Sequence, residues 1–264
     1  MARDLCPQIQ TRNSFQPHKG RLMIPYKIHH IWLQGGIPSK YQENYDIWER
    51  ALPEWEHHVW DEDTLLSLCT AEQEDSYLKI ETLINRVNFL KYILMYNEGG
   101  IYADLDSFPN RDIYEFFVQR KIKDIDLTSL LSIRYPFNTP IPEKPFGNYQ
   151  VIIPSRPTMF FYPNGDKPLL LDNPVLMGVA GDRFWIDLIH WCEQRTNLKS
   201  GALAEMEFLP HEPYGPYGMT DFLFKNFDNP YEDGILILPP SYFLGAIGDS
   251  SENKYIIHAA DKGW

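Results

Sequence analysis

Residues 97–106 read NEGGIYADLD, and they predict both the centre of an α/β sheet and a pair of carboxylates at its edge. Two glycines separate a helix-type segment from a short apolar run, which is the pattern of a helix stop followed by a strand. Asp104 and Asp106 close the run, two residues apart. On a strand such residues point to the same side, so we expect the two carboxylates to converge. Paired oxygen ligands suit Mg²⁺ or Mn²⁺, and a metal held in this way commonly clamps a phosphate.

The segment before the glycines has the spacing of an amphipathic helix. Its apolar residues recur at i, i+4, i+7 and i+11: Leu83, Val87, Leu90 and Leu94. Gly99 or Gly100 is predicted to end this helix in a left-handed conformation. Residues 101–105 then form a predicted central strand that carries Asp104 and Asp106 at its carboxyl end. Ligands gather at that end in open α/β sheets.

The rest of the chain alternates strand-type and helix-type segments. Strands are predicted at 26–33, 56–60, 235–238 and 255–258, and helices at 41–51 and 182–194. Dense prolines between 135 and 174 surround a PNGD turn and short β-type runs at 151–153, 159–162 and 169–171, which indicates a β-rich, proline-rich insertion. We predict an α/β fold with a mixed sheet flanked by helices. Residues 1–22 are expected to be a flexible lead-in and 23–264 a single domain.

Composition narrows the function classes. The 264 residues carry a net charge of −12, which argues against nucleic acid or an anionic membrane as the main partner. Three widely spaced cysteines do not predict a disulfide framework or a zinc site. No apolar run reaches the length of a membrane span, and the first 22 residues lack the apolar region of a signal peptide. We expect a soluble, cytoplasmic protein.

Histidines and aromatic residues supply further candidates. His258, at the end of a late strand, is a possible third metal ligand, with Lys262 beside a diphosphate and Trp264 closing the site. The alternative for His258 is a histidine with an ordinary structural role. His29 and His30 lie in the first strand, where packing is the more common role. Trp32 and Trp60 could stack on a base or belong to the core. Asn88 and Lys91 lie one helical turn apart. They could face the site near the same strand end, or they could lie on a solvated helix face.

Several motifs occur in order from about residue 24 onward. They are IPYKIHHIW (24–32), PEWE (53–56), VWD (59–61), KYIL (91–94), GGIY (99–102), DLD (104–106), NPVLMG (173–178), GP (215–216) leading to Thr220, and His258 with Trp264. Together they resemble glycosyltransferase family 32, the DXD-containing sugar transferases that include yeast-type α-mannosyltransferases and bacterial capsular transferases.

The resemblance implies a GT-A fold, a nucleotide-sugar donor, a glycan or other hydroxyl acceptor and retention of the anomeric configuration. It implies Mn²⁺ (or Mg²⁺) at Asp104, Asp106 and His258, with Asp106 and His258 as the direct ligands. Asp104 would bridge the donor and a metal-bound water. The implied donor-binding set, with the main chain around Ile31 and Trp32 meeting the nucleotide, is His30, Ile31, Trp32, Trp60, Tyr102, Lys262 and Trp264.

The chain departs from the family pattern on the predicted helix. The usual Ser-Asp-x-x-Arg reads VNFLK over residues 87–91, so Asn88 and Lys91 stand where the family contacts the donor sugar and phosphate. Asn88 can still bind a hydroxyl, and Lys91 can face a phosphate as a point charge without the bidentate fork of arginine. We count both as catalytic candidates beside Asp104 and Asp106. Tyr214 stands where the family has threonine. Family members of the fungal Golgi carry a membrane anchor, so a bacterial or viral type is expected here.

The function predicted is metal-dependent, retaining transfer from a nucleotide diphosphate sugar. UDP-sugars are favoured over GDP-sugars because no basic cluster for reading guanine is evident. The alternative is a catalytically impaired sugar-nucleotide or carbohydrate-binding protein on the same fold. A phosphatase of the haloacid dehalogenase class also uses Asp-x-Asp, but Phe108 stands where that motif has Thr or Val. That class also has its pair near the first strand, about eighty residues earlier.

Overall fold

The computed structural model describes residues 23–110, 113, 149–157, 169–196, 213–238, 243–245 and 255–259. The strands are β1 (Lys27–Ile31), β2 (Glu56–Trp60), β3 (Gly100–Ala103), β4 (Ser107–Pro109), β5 (Val151–Pro157), β6 (Leu169–Leu171), β7 (Val175–Gly178), β8 (Ile235–Leu238), β9 (Phe243–Gly245) and β10 (Ile256–His258). The helices are α1 (Gln42–Ala51), α2 (Glu62–Leu66), α3 (Ala71–Leu78), α4 (Leu83–Asn97), α5 (Arg183–Thr196) and α6 (Pro216–Asn226), with a 3₁₀ turn at Ser39–Tyr41. The predicted lead-in, residues 1–22, lies outside the described residues.

The central sheet has the strand order β2-β1-β3-β7-β5-β6, and β8 also pairs with β5. Strands β2, β1 and β3 are parallel, whereas β7 runs antiparallel to β3. A smaller sheet, β4-β10-β9, follows, and its antiparallel β4–β10 pair places His258 opposite Ser107. The predicted mixed α/β fold is therefore confirmed, and β3 occupies the predicted central position.

Two strands of the proline-rich region belong to the central sheet. β5 pairs with β7 and β6, both antiparallel to it, and with β8, which is parallel to it. The predicted β-type run at 159–162 lies outside the described residues. What this region contributes to the described structure is therefore two strands of the main sheet, β5 and β6.

The sheet separates two layers of apolar packing. Residues alternate along β1, so Ile28 packs on the side of Trp48 from α1, whereas Ile31 packs with α4 and α5 on the other side. Helix α4 is buried continuously over residues 87–95. The prediction of an amphipathic α4 was therefore wrong: its polar residues Asn88 and Lys91 are as buried as Leu90 and Leu94. The apolar spacing located the helix, but both of its faces are covered by other elements.

Glycines end α4 as predicted. Gly99 has φ +64° and Gly100 has φ +85°, the left-handed region that glycine adopts without strain. A Cβ at Gly99 would lie 2.5 Å from the amide nitrogen of Ala180 and 2.9 Å from the carbonyl oxygen of Gly178. The close approach fixes the turn from α4 into β3 against the β7–α5 connection.

Gly99→Ala is expected to destabilise the protein by about 2–4 kcal/mol, because it adds a backbone clash to the strain of a left-handed alanine. Urea unfolding measures this loss. Gly36→Ala is the matched control, since Gly36 has φ +72° and a Cβ there would meet nothing within 4 Å. Only the strain remains in the control, and a loss of about 1 kcal/mol is expected. Equal losses in the two variants would contradict the clash.

Two histidines of β1 are fully buried. Burial lowers the pKa of His29 to about 3 and, opposed by a hydrogen bond to Ala103, that of His30 to about 4. Trp60 Nε1 donates to His29 Nδ1 over 3.0 Å, so neutral His29 carries its proton on Nε2. His30 Nδ1 donates to the carbonyl oxygen of Ala103 over 2.7 Å. Both imidazoles are therefore neutral and packed in the folded protein. Packing is the more common role expected from the sequence.

Acid is expected to destabilise the fold through these histidines. Between the lowered folded pKa and the ordinary unfolded value near 6.5, the unfolded chain binds more protons. Stability is therefore complete above about pH 6.5 and falls below it, by about 2 kcal/mol per histidine at pH 5. Urea unfolding at pH 7 and pH 5 tests this. His30→Gln should reduce the difference by about 2 kcal/mol. An unchanged difference would show that His30 is not the group responsible.

Candidate metal and donor site

The two aspartates lie in a turn, not on a strand. β3 ends at Ala103, and the amide of Ser107 donates to the carbonyl oxygen of Asp104 over 2.8 Å, closing a turn into β4. The prediction that strand alternation brings the carboxylates together was therefore wrong in its cause. They converge because the turn folds Asp106 back beside Asp104. The predicted place, at the carboxyl end of β3, holds.

Four contacts from distant parts of the chain fix this turn. They are Asp104 N to Pro174 O (2.7 Å), Ala259 N to Asp106 O (2.9 Å), Asn44 Nδ2 to Leu105 O (2.9 Å) and Trp48 Nε1 to Ser107 O (2.8 Å). Helix α1, the β6–β7 connection and the segment after β10 thus all hold the same four residues. Such support is what a preorganised site needs.

His258 completes a cluster with the two aspartates. Its Nε2 lies 3.3 Å from Asp106 Oδ2, and one ligand atom from each of Asp104, Asp106 and His258 lies within 4.8 Å of the others. In the described part of the chain this is the one group of three or more acidic, histidine or cysteine side chains that could hold a metal ion. Two carboxylates and an imidazole fit Mn²⁺ well, and Mg²⁺ less well because it prefers oxygen ligands.

The electrostatics of the cluster favour a cation. Burial opposes protonation of His258, but the hydrogen bond and charge of Asp106, together with Asp104 and Asp172, outweigh it and raise the pKa of the imidazole. The negative potential that holds a proton on His258 is available to a divalent ion in its place.

Lys91 reaches this cluster from α4. Its Nζ lies 2.9 Å from Asp104 Oδ1 and 3.4 Å from the carbonyl oxygen of Asn173, and it sits 4.8 Å from the centre of the Tyr102 ring. The side chain is 2% exposed, so the interpretation of a solvated helix face was wrong. A buried ammonium needs a counter-charge, and Asp104 supplies it.

Tyr102 supports the same carboxylate. Its hydroxyl donates to Asp104 Oδ1 over 2.5 Å. Burial, and then the charge of Asp104, raise the pKa of this phenol well above its ordinary value, so it stays protonated and donates. Oδ1 of Asp104 is therefore contacted both by the charged ammonium of Lys91 and by the neutral hydroxyl of Tyr102.

Asn88 joins a loop that the sequence did not place in the site. Asn173 Nδ2 donates to Asn88 Oδ1 over 2.9 Å, and the amide of Asn173 donates to Asp172 Oδ1 over 3.1 Å. Asp172 is buried, and its charge reaches His258. Neither Asp172 nor Asn173 was selected as a site residue from the sequence, although the motif at 173–178 was noted. A polar Asp-Asn-Pro between two apolar strands was the available signal.

The remaining candidates lie around the edge of the sheet. β1, β2 and β3 end together, and the amide of Trp32 donates to the carbonyl oxygen of Trp60 over 2.9 Å. The Trp32 ring meets Tyr41 edge-on, 6.0 Å between centroids, while the Trp60 indole packs on His29. Ile31 is buried beneath this edge, and His30 supports Ala103 from the opposite face. Lys262 and Trp264 lie outside the described residues.

Residues 38–128 match a family model described as "Glycosyltransferase sugar-binding region containing DXD motif". HOC1 of Saccharomyces cerevisiae, named as a glycosyltransferase, is 27% identical over 103 residues, which cover 37% of this chain and 26% of that protein. Inositol phosphoceramide mannosyltransferase 3 of Schizosaccharomyces pombe is 29% identical over 96 residues, covering 34% of this chain and 26% of that protein. The chain thus spans about a quarter of the length of these two relatives.

Among solved structures, the glycosyltransferase domain of the YGT toxin superposes with a TM-score of 0.51 at 8% identity, covering 83% of this chain and 81% of that domain. This likeness concerns the fold, and it agrees with the GT-A architecture expected from the sequence. Residues 38–128 thus resemble a DXD glycosyltransferase region, and the fold of the described residues is of the GT-A type. No helix in the described segments is both long enough and apolar enough to cross a membrane.

Proposed function

We propose that this protein is a family 32 glycosyltransferase that moves a sugar from a nucleotide diphosphate sugar to a hydroxyl of a glycan or other acceptor, with a divalent cation. The observation that carries this proposal is the convergence of Asp104, Asp106 and His258 beside buried Lys91 at the carboxyl edge of the parallel strands. Matched motifs and homologous glycosyltransferases support the reaction class.

Asp106 and His258 would hold the cation directly, and Asp104 would complete its surroundings. Mn²⁺ is favoured because an imidazole accompanies the carboxylates. When bound, the cation would stabilise negative charge on the departing diphosphate, a contribution that is usually among the largest in catalysis. The turn contacts described above hold the main chain of residues 104–107, and Lys91, Tyr102 and the contact between His258 and Asp106 hold the carboxylates, so little reorganisation is needed when the donor binds.

The nucleotide would lie along the ends of β1 and β2. Main-chain groups around Ile31 and Trp32 are at this edge, and the edge is close to Asp104 because β1 and β3 are paired in register. Asn88, Asn173 and Asp172 form the polar wall on the other side of Asp104 and would meet the sugar hydroxyls. We favour UDP-sugars and include GDP-sugars, since a relative is named as a mannosyltransferase.

For the stereochemistry we propose retention, by attack on the same face with assistance from the leaving phosphate. A double displacement would need an additional carboxylate as nucleophile, and Asp172 is the described residue to test for it. Proton NMR of the first product formed should show the anomeric configuration of the donor. Under our proposal the unchanged protein forms no glycosyl-enzyme adduct and Asp172→Asn retains measurable transfer, whereas a covalent glycosyl adduct trapped on Asp172 of the unchanged protein would favour the double displacement.

A thermal-shift screen of UDP- and GDP-sugars, with and without Mn²⁺, tests the donor class. A ligand that binds only the folded state at a hundred times its Kd stabilises the protein by about 2.7 kcal/mol. We expect one donor class to raise Tm only when Mn²⁺ is present. No shift with any donor would contradict the proposal. A shift without any release of the nucleoside diphosphate would instead support the alternative of a catalytically impaired binding protein. The contacts of Asp104 Oδ1 with Lys91 and Tyr102 are the observation that favours this alternative.

A further inference from the structure

We propose that Lys91 is a built-in counter-ion of the metal centre, which weakens cation binding to the protein alone and couples it to binding of the donor diphosphate. This inference rests on the proposed metal site and concerns how that site is regulated. The ion pair of Lys91 Nζ with Asp104 Oδ1, at 2.9 Å and almost fully buried, carries the argument.

The position of the ammonium decides what it can do. Its contacts are Asp104 Oδ1, the carbonyl oxygen of Asn173 and the face of the Tyr102 ring. Lys91 is therefore directed at the first carboxylate of the DXD motif. Beside its expected role as a point charge for a phosphate, it is placed as a positioning residue that acts through Asp104.

The charge balance of the centre follows from this pair. Asp104 and Asp106 would present two negative charges to a cation, with the charge of Asp172 nearby, and Lys91 cancels one of them inside a poorly hydrated environment. Charges at such short range interact by several times more than they would in bulk water. A divalent ion consequently meets a repulsive charge next to one of its carboxylates. The diphosphate brings negative charge of its own and removes this deficit, so cation and nucleotide should bind together.

Tyr102 is a second group that holds the carboxylate of Asp104. Because its hydroxyl donates to the same oxygen of Asp104, that oxygen is held even without the lysine, and loss of the charge need not release the carboxylate. Replacing Lys91 with a neutral side chain of similar length should therefore leave the ligand geometry and raise the negative potential. The expected result is tighter binding of the free cation.

Electron paramagnetic resonance of free Mn²⁺, titrated with the protein in the absence of nucleotide, tests the inference. Lys91→Met should bind Mn²⁺ at least about tenfold more tightly than the unchanged protein, because a repulsive neighbouring charge is gone. Lys91→Arg keeps the charge and should bind within about threefold of the unchanged protein. Lys27→Met is the matched control: it removes the lysine that pairs with Glu98, beside the opposite end of β1, and should change nothing.

Nucleotide supplies the second readout. Adding UDP or GDP should tighten Mn²⁺ binding more in the unchanged protein than in Lys91→Met, because only the former has a charge deficit to remove. Lys91→Gln gives the same comparison if the methionine variant does not fold. Mn²⁺ binding that is unchanged or weaker in these neutral variants would overturn the inference.

The result is separable from the proposed function. If neutral variants bind Mn²⁺ tightly while the unchanged protein neither binds it nor turns over a donor, Lys91 is a counter-ion in a protein that is not a metal-dependent transferase. If the unchanged protein transfers sugar with Mn²⁺ but neutral variants bind the ion no better, the function stands and the counter-ion role does not.

Discussion

Asp106→Ala is expected to lower the rate of sugar transfer at least about a thousandfold, because a direct cation ligand and with it much of the charge stabilisation of the leaving diphosphate are lost. The carboxylate of Asp106 also partners His258, so the variant disrupts two of the three cluster members. Initial rates with saturating Mn²⁺ and donor measure the effect.

Two comparisons keep this result interpretable. Circular dichroism and thermal unfolding should show that Asp106→Ala is folded. Asp187→Ala, which removes a partly exposed carboxylate paired with Arg183 on α5, is the control and should keep essentially full activity. Transfer by Asp106→Ala within tenfold of the unchanged protein would contradict a direct ligand role.

Lys91→Met is expected to reduce the free energy of unfolding by about 3–5 kcal/mol in EDTA, because it leaves the charge of Asp104 buried without its partner. Urea unfolding of the metal-free protein measures this. Adding Mn²⁺ should restore more stability to the variant than it gives to the unchanged protein, since the cation replaces the missing positive charge.

A double-mutant cycle isolates the pair. Combining Lys91→Met with Asp104→Asn removes both charges, and the double variant should be more stable than Lys91→Met alone. Lys27→Met, which breaks a part-exposed ion pair with Glu98, should lose about 1 kcal/mol or less. A loss in Lys91→Met as small as in this control would show that Lys91 and Asp104 are not strongly coupled.

The features that the sequence predicted well are those with local causes. The glycines at 99 and 100 end α4 because only a residue in the left-handed conformation fits there, and the strand-type segments predicted at 56–60, 169–171 and 235–238 coincide with β2, β6 and β8. Ordered motifs brought Asp104, Asp106 and His258 into one hypothesis before any geometry was known. Those three side chains do lie together, and their role as ligands stays a prediction.

The errors arose where the deciding partner lies far away in the chain. Polar residues on α4 were open to interpretation as a solvated face, but Asn88 is bound by Asn173 and Lys91 by Asp104, neither of which a helical pattern contains. The turn at Asp104 was likewise predicted as strand, because its anchors come from Pro174 and Ala259. Long-range hydrogen bonds and ion pairs determine these details, and local periodicity does not report them.

Release of the nucleoside diphosphate from the donor shows whether sugar transfer depends on a metal ion at Asp104, Asp106 and His258. The protein is incubated with the donor that stabilises it, once with Mn²⁺ and once with EDTA. The nucleoside diphosphate released is quantified by chromatography. We predict release with Mn²⁺, its loss in EDTA and its loss in Asp106→Ala. Release that persists at an equal rate in EDTA, or no release with any donor that binds, would contradict metal-dependent sugar transfer at Asp104, Asp106 and His258.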